Sequence, residues 1–156
     1  MRVDNIMERE VITCSPDDTL EAAALLMWNH ACGSIPVVSG DGQPIGMVTD
    51  RDIAMASVLQ HKPLWQIKAG EIANGKPLVC CEKGISAEEA VKQMGEHGVR
   101  RLLVVDREGC IQGLFSLDDA IYYAENRKGH KGPSEGLSYE GVMSALKDVC
   151  LQQRHR

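Results

Sequence analysis

The stretch that decides the fold is Gly46-Met47-Val48-Thr49-Asp50-Arg51-Asp52, because the chain repeats its pattern as Gly113-Leu114-Phe115-Ser116-Leu117-Asp118-Asp119. The shift of 67 positions that carries Gly46 onto Gly113 also superimposes the surrounding sequence without a gap. The same shift pairs identical residues along both segments, among them Cys14 with Cys81, Glu21 with Glu88, Met27 with Met94, His30 with His97 and Gly42 with Gly109. This period is longer than the roughly 20–50 residues of solenoid or propeller repeats. The sequence is therefore one supersecondary unit that occurs twice.

Each copy of the unit is predicted to have the order β-α-β-β-α. In the first copy the pattern predicts a strand at 11–14, a helix to about His30, a hairpin of strands 35–38 and 45–49, and a helix from Asp50. Thr19 and Ser15 are the candidates to cap the first helix, since their hydroxyls can accept from free backbone amides.

The second copy repeats this order. We predict a strand at 78–81, a helix to His97 that starts with a Ser86–Glu89 capping box, and strands at 102–105 and 111–116. A last helix starts at Leu117. The connector between the copies carries Trp65, which we expect to cover the edge of the core.

The chain after Asn126 differs from both copies. A Gly- and Lys-rich linker precedes a helix predicted over 139–152 with one apolar face, and that face must be covered by its own domain or by another copy of the chain. The predicted segments are repeat one at 1–60, a connector at 61–71, repeat two at 72–127, a flexible linker at 128–138, and the C-terminal amphipathic helix and tail at 139–156. A unit of about 60 residues is only marginally stable alone, so the two copies are expected to pack together.

Composition excludes several classes of function. The net charge is −5, and Lys and Arg form no long run, so nucleic acid is not expected as a partner. Phe115 is the one phenylalanine, which leaves few aromatic platforms for stacking bases. No apolar run approaches the roughly 20 residues of a membrane span, and the start of the chain does not resemble a secretion signal. We expect a cytoplasmic protein without a membrane partner.

The six cysteines are expected to pack as small hydrophobic residues. They include no C-x-x-C pair, and several lie in or beside predicted strands. A thiol or metal sensor that uses Cys14, Cys32, Cys80 or Cys81 is the alternative.

The repeated motif brings together groups that can bind a nucleotide. Thr49 ends a strand, and Asp52 lies in the first turn of the next helix, beside free amides that favour a phosphate. The Thr49 hydroxyl can donate to a phosphate oxygen, and the Asp52 carboxylate can accept from the two vicinal hydroxyls of a ribose. Ser116 and Asp119 repeat this arrangement. The alternative is that Thr49 and Ser116 only cap their helices.

Both copies resemble cystathionine β-synthase (CBS) domains, and the pair resembles a Bateman module of the stand-alone bacterial type. The resemblance covers about residues 1–127. It rests on Ile6-Met7, Thr13-Cys14-Ser15-Pro16, Ile35-Pro36-Val37-Val38 and the Gly-x-x-Thr/Ser-x-x-Asp motif in each half. The form Thr49-Asp50-Arg51-Asp52-Ile53 is similar to that of small two-CBS proteins and of the regulatory insert of inosine monophosphate dehydrogenase. The resemblance to CBS domains implies an α+β, sandwich-like fold in which two units pack about a pseudo-two-fold axis.

The resemblance also implies a regulatory role and a ligand. AMP, ADP, ATP or S-adenosylmethionine is expected in the cleft between the repeats, with no cofactor and no metal. The adenine is expected near Thr13, Ile35 and Pro36, or near Cys80 and Leu102. Arg100 is expected to reach the ligand's phosphates, whereas repeat one has Gly33 at the matching position; the alternative is that Arg100 and Arg101 are a solvated pair beside a strand. From the residues alone, Arg51 is a candidate either for a phosphate contact or for a bridge to Asp50 or Asp52.

The module is expected to signal by a conformational or oligomeric change. Because similar modules form homodimers, a homodimer through the CBS units is expected. The sequence does not identify the regulated protein partner. The alternative is a ligand-free structural or protein-interaction module. No motif for a catalytic nucleophile, a Walker-type phosphate loop or a metal-ligand cluster is present in the sequence, so we do not expect an enzyme.

Overall fold

The structure, a computed structural model, describes residues 1–124 and 136–154. Contacts divide the chain into two compact units. The first-repeat unit comprises Val11–Leu78 with Gly109–Ile111, and the second-repeat unit comprises Met1–Glu10, Val79–Glu108 and Gln112–Arg156. Most of the linker predicted at 128–138 lies outside the described residues.

The first-repeat unit packs short helices around one hairpin. Its strands β1 (Ser34–Val38) and β2 (Pro44–Thr49) pair antiparallel, with Ser34 opposite Thr49 and Ile35 opposite Val48. Thr19 caps helix α1 (Leu20–Asn29) by accepting from Ala22 N at 3.2 Å, as predicted. The elements are α1 (Leu20–Asn29), β1 (Ser34–Val38), β2 (Pro44–Thr49), α2 (Asp50–Gln60), a 3-10 turn (Leu64–Gln66) and α3 (Ala69–Ala73).

The strand predicted at 11–14 is wrong as a continuous element. Only Cys14 forms a bridge, parallel to Val37, in which Cys14 N donates to Pro36 O at 3.0 Å and Val38 N donates to Cys14 O at 2.9 Å. Thr13 is exposed, and Pro16 lies two residues after Cys14, where the next ladder amide would be. Because Pro lacks an amide hydrogen, the ladder ends here after one residue.

The second-repeat unit contains a sheet of three strands in the order β3 (Cys80–Glu82), β4 (Arg101–Val105) and β5 (Ile111–Ser116). Strand β3 pairs parallel with β4, and Cys81 lies opposite Val104, which repeats the Cys14–Val37 bridge one period later. The elements are a 3-10 turn (Val3–Asn5), β3 (Cys80–Glu82), α4 (Ala87–His97), β4 (Arg101–Val105), β5 (Ile111–Ser116), α5 (Leu117–Tyr123) and α6 (Tyr139–Arg154). The mixed helices and strands and the C-terminal helix confirm the predicted α+β class.

A short segment precedes each repeat in the sequence, and we call it the lead segment. Each lead segment packs in the compact unit of the other repeat. Val3 N donates to Ile85 O at 3.0 Å, and Glu8 and Leu114 exchange both backbone bonds, so the start of the chain joins the second-repeat unit. In the first-repeat unit, Leu20 N donates to Ile67 O at 2.9 Å. The apolar lead residues are buried in these cores: Val3, Ile6 and Met7 in one unit, and Ile67, Ala69 and Ala73 in the other. The compact units therefore differ from the linear segments 1–60 and 72–127.

The glycine of the repeated motif is needed for this packing. A Cβ built on Gly46 would lie 2.5 Å from Ala73 O, and a Cβ on Gly113 would lie 2.8 Å from Glu8 O. Only a residue without a side chain allows the lead segment to approach β2 or β5 this closely.

Helix α6 covers the core of its own unit. Val142, Ala145 and Val149 are buried in the second-repeat core, and Gln152 Nε2 donates to Gly95 O on α4 at 2.8 Å. The sequence left open whether the apolar face of this helix is covered by its own domain or by another copy of the chain. The structure shows that its own domain covers it.

Two other expectations are corrected. Trp65 is 61% exposed and covers no core edge, because its short turn presents it outward. Ser86 accepts from Glu89 N but forms no reciprocal capping box.

Candidate ligand-binding site

The first candidate site is the junction between β2 and α2. Thr49 Oγ1 accepts from Asp52 N at 3.1 Å, and Asp52 Oδ2 accepts from Thr49 N at 2.9 Å. The two residues thus satisfy each other's backbone in a capping box. Both side chains are half-buried at the amino end of the helix, where the dipole stabilises negative charge.

Lys76 adds an ion pair to this box. Its Nζ lies 2.5 Å from Asp52 Oδ1, and the side chains are 40% and 24% exposed. Burial by itself raises the pKa of Asp52, but the hydrogen bonds from Lys76 and Thr49 outweigh it, so the pKa is lowered below its ordinary value. In this conformation both oxygens of Asp52 have protein partners.

The second candidate site is the junction between β5 and α5. Asp119 Oδ2 accepts from Ser116 N at 2.9 Å and from the Ser116 hydroxyl at 2.6 Å, and Asp119 N donates to Ser116 Oγ at 3.1 Å. The capping box is thus repeated, with serine in place of threonine. Asp119 has no ion pair with any described residue, which leaves Oδ1 available to a ligand.

Arg100, the residue before β4, contacts this second site through its backbone. Leu117 N, the first amide of α5, donates to Arg100 O at 3.0 Å; in the other unit Asp50 N donates to Gly33 O at 3.1 Å. These two bonds are related by the shift of 67 positions. Arg100 and Gly33 therefore occupy matching backbone positions, and Arg100 carries an exposed positive side chain where the first repeat has a glycine.

The other predicted contacts are distributed over both units. Thr13 and Arg51 are exposed, Pro36 is buried, and Cys80 is half-buried opposite Leu103. Ile35 and Leu102 are fully buried within the cores of their own units. Contact of these side chains with an adenine stays a prediction.

Lys76 is the site residue that the sequence analysis missed. The signal that identifies it is the repeat itself, because Arg9 and Lys76 are separated by the same 67 positions. Arg9 does not reproduce the ion pair: its Nη2 donates to Asp4 O at 2.6 Å. The two matching basic residues thus have different partners.

The thiols show the chemistry of packed side chains. Burial, with a smaller contribution from Asp18, raises the pKa of Cys14 to about 11, and burial raises the pKa of Cys81 to about 11 as well. Thiols with such values are protonated at neutral pH and react slowly. Within 1–124 and 136–154, no group of three or more His, Cys, Asp or Glu side chains could hold a metal ion. Over the same residues, no helix combines the length and apolarity needed to cross a membrane.

Comparison with known proteins gives the family. The model of the CBS domain matches residues 3–59 and 69–126. CBS domain-containing protein YhcV of Bacillus subtilis is 34% identical over 157 residues, which cover 98% of each chain. An uncharacterised protein of Methanopyrus kandleri is 34% identical over 119 residues, covering 76% of this chain and 60% of that protein. Inosine-5'-monophosphate dehydrogenase of Methanocaldococcus jannaschii is 30% identical over 120 residues; they make up 77% of this chain and 23% of that enzyme, so its activity is not carried over.

Solved structures have the same fold. Hypoxic Response Protein I, with two coordinated zinc ions, aligns with a TM-score of 0.72 and 28% identity over 80% of this chain and 100% of that one. A CBS domain protein from Pyrobaculum aerophilum complexed with AMP gives 0.69 and 22% over 82% and 94%. The CBS domain pair of protein MJ0100, in complex with 5-methylthioadenosine and S-adenosylmethionine, gives 0.66 and 20% over 78% and 94%.

The family match, the relatives and the repeated units agree. They confirm the resemblance inferred from the Gly-x-x-Thr/Ser-x-x-Asp motifs. The chain belongs to the CBS domain family and carries two CBS domains in tandem.

Proposed function

We propose that this chain is a regulatory module that binds an adenosyl ligand, with the Ser116–Asp119 capping box as its principal site. The solved relatives with AMP and with S-adenosylmethionine support the ligand class. One observation supports this choice of site. Asp119 uses Oδ2 for the capping box and has no described ion pair at Oδ1, whereas Oδ1 of the matching Asp52 is paired with Lys76.

The ribose is held by Asp119 in this proposal. Its Oδ2 keeps the Ser116 backbone in place, while Oδ1 accepts from a ribose hydroxyl. A carboxylate can accept several hydrogen bonds at once, so the cap and the ligand do not compete for the same lone pairs. The cap therefore pre-positions the binding group, which lowers the entropy cost of binding.

Arg100 gives this site its preference for phosphorylated ligands. Its backbone carbonyl accepts from Leu117 N at the start of α5, and its side chain is exposed. We expect its guanidinium to meet an anion at this helix start, where the dipole also favours negative charge. A charge-assisted hydrogen bond contributes about 1.5–3 kcal/mol. AMP, ADP and ATP are therefore expected to bind more tightly than uncharged adenosine.

The Thr49–Asp52 box is the weaker site. The Lys76 ammonium already contacts Asp52 Oδ1, so a ribose hydroxyl must either share that oxygen with it or displace it. Displaced, Lys76 can turn to a phosphate together with Arg51, but loss of the ion pair opposes binding. We propose that this box binds only at higher ligand concentration.

The signal is a population shift. A ligand that binds one arrangement of the protein more tightly moves the equilibrium toward it by its difference in affinity. A second copy of the chain, or a regulated protein, then senses the change. A cytoplasmic location fits this role but remains an expectation.

The capping geometry also favours a second candidate function. Both boxes are formed by residues of the chain itself, which also fits a protein-interaction module that binds no ligand. Thermal-shift measurements with AMP, ADP, ATP and S-adenosylmethionine distinguish the two. For a binding module, a ligand at 100 times its Kd stabilises the protein by about 2.7 kcal/mol.

The matched variants are Asp119→Asn and Asp118→Asn. Each removes one carboxylate from the first turn of α5, but only Asp119 belongs to the box. We expect the ligand-induced shift to be lost in the first and kept in the second. Absence of a shift with all four ligands would support the interaction module instead.

A further inference from the structure

A cleft lies between helices α4 and α6 of the second-repeat unit. It encloses about 650 Å³, and none of its lining residues belongs to the Ser116–Asp119 capping box. Small-molecule sites typically have volumes of about 300–1,000 Å³. Helix α6 follows residue 126, where the second match to the CBS domain model ends. One wall of the cleft is therefore supplied by a part of the chain outside the two CBS matches.

The two helices run in the same direction along the cleft. A Cβ built on Gly95 of α4 would lie 3.2 Å from Ala145 Cα, and the later Gly98 lies against the later Gln152 of α6. The carboxyl ends of both helices therefore lie at the same end of the cleft. Because a helix carries partial negative charge at its carboxyl end, this end favours a cation.

The floor of the cleft is apolar. Val91, Leu137 and Ala145 line it, and each has at most 5% of its surface exposed. Leu151 is 45% exposed and adds an apolar side chain near the carboxyl end of α6. Such a floor favours the apolar body of a ligand, because contact removes both surfaces from water.

The charged side chains of the cleft are mostly negative. Among the described residues that line it, three are carboxylates and one is a cation, namely Glu88, Glu96, Asp148 and Lys92. Lys92 Nζ lies 3.6 Å from Glu96 Oε1, so a carboxylate already matches its charge. Asp148 Oδ2 lies 3.5 Å from the Cβ position of Gly95, where the helices cross, and Asp148 has no ion pair with a described residue. The Asp148 carboxylate is thus placed to receive a cation.

We infer that this cleft binds a small amphipathic organic cation, whose apolar body lies on the floor and whose ammonium or amidinium group meets Asp148. Charge complementarity selects this class. An anion would be repelled by the carboxylates and by two negative helix ends, and a neutral molecule would gain nothing from them. No group of three or more His, Cys, Asp or Glu among the described residues could hold a metal ion, which favours an organic cation over a bare one.

Such a ligand contacts α4 and α6 at once. It therefore binds only while α6 is docked on its unit, and binding stabilises the docked helix by mass action. Hydrogen exchange of the α6 amides is expected to slow when the cleft is occupied.

NMR titration of the full chain without nucleotide tests the inference with three probes that share one apolar body: phenylbutylamine, phenylbutanol and phenylbutyrate. We expect the amine to bind saturably in the millimolar range that suits so small a ligand, with shifts centred on the amides of Gly95 and Ala145. The alcohol is expected to bind at least fivefold more weakly, and the carboxylate more weakly still.

Two variants of α6 separate the site from net charge. Asp148→Asn is expected to weaken the amine at least threefold and to leave the alcohol unchanged. Glu140→Gln removes an exposed carboxylate of the same helix that does not line the cleft, and is expected to keep the amine affinity within twofold of wild type.

Absence of saturation by the amine up to about 20 mM would overturn the inference. So would equal affinities for amine and alcohol, an unchanged amine affinity in Asp148→Asn, an equal loss in Glu140→Gln, or shifts centred outside α4 and α6. Circular dichroism melting shows that each variant is folded. Because no nucleotide is added, the result is independent of the proposed nucleotide site.

Discussion

Lys76 Nζ lies 2.5 Å from Asp52 Oδ1, whereas Asp119, the matching carboxylate of the second repeat, has no ion pair among the described residues. Both copies of the motif thus have the same capping geometry, but only the first has a described ion pair at its aspartate. Matching carboxylates in such different surroundings are expected to differ in stability contribution and in ligand affinity.

The first prediction concerns pH. The folded pKa of Asp52 is lowered, so its stabilising contribution is present above the unfolded value near 4 and is lost as pH falls through the folded value. Asp52→Asn is expected to cost about 0.5–1 kcal/mol at pH 7, because the pair is partly screened by solvent. Thermal unfolding should show this difference shrinking below about pH 4.

Asp118→Asn is the control for that series, since it removes a helix-start carboxylate without a described ion pair. Lys76→Met should reproduce the pH dependence of Asp52→Asn. If the cost of Asp52→Asn were equal at pH 7 and pH 3, the ion pair would not be its source.

The second prediction concerns the cap of α5. Ser116→Ala removes the acceptor for Asp119 N and a donor to Asp119 Oδ2, and is expected to cost about 1 kcal/mol. Ser116→Thr keeps both bonds and should stay within about 0.5 kcal/mol of wild type. Urea unfolding measures both variants, and equal stabilities would argue against the capping role.

The third prediction concerns the motif glycine. Gly46→Ala places a Cβ 2.5 Å from Ala73 O, which forces β2 and α3 apart at a cost of about 1–3 kcal/mol. Gly40→Ala is the matched control, because nothing lies within 4 Å of its Cβ position. A similar unfolding midpoint for the two variants would contradict the close approach.

The fourth prediction concerns α6. Val149 is fully buried against the second-repeat core, so Val149→Ala is expected to destabilise the protein by about 1–3 kcal/mol. Met143, on the same helix, is 64% exposed, and Met143→Ala should change the unfolding free energy little. Hydrogen exchange should also show faster opening of α6 in Val149→Ala; unchanged exchange would mean that the helix does not depend on this contact.

Features set by neighbouring residues were predictable from the sequence. Thr19, Thr49 and Ser116 cap their helices because a hydroxyl three residues before a free amide needs no distant partner. The repeat also predicted the matching junctions at Gly33 and Arg100.

Features set by distant contacts were not predictable in the same way. The lead segment with Val3 packs in the second-repeat unit, and Ile67 packs in the first, although hydrophobic pattern alone does not say which core buries them. The Lys76–Asp52 pair depends on that exchange, because Lys76, which the sequence assigns to repeat two, belongs with α3 to the first-repeat unit. The exposure of Trp65 likewise depends on tertiary packing.

The central claim is that Asp119 binds the ribose of an adenosyl ligand. Isothermal titration of the wild type, Asp119→Asn and Asp118→Asn with AMP, ATP and S-adenosylmethionine tests it most directly. We predict saturable binding of at least one ligand to wild type and to Asp118→Asn with Kd values within threefold, and at least tenfold weaker binding to Asp119→Asn. Equal binding to all three proteins, or no binding of any of the three ligands to wild type, would contradict the account.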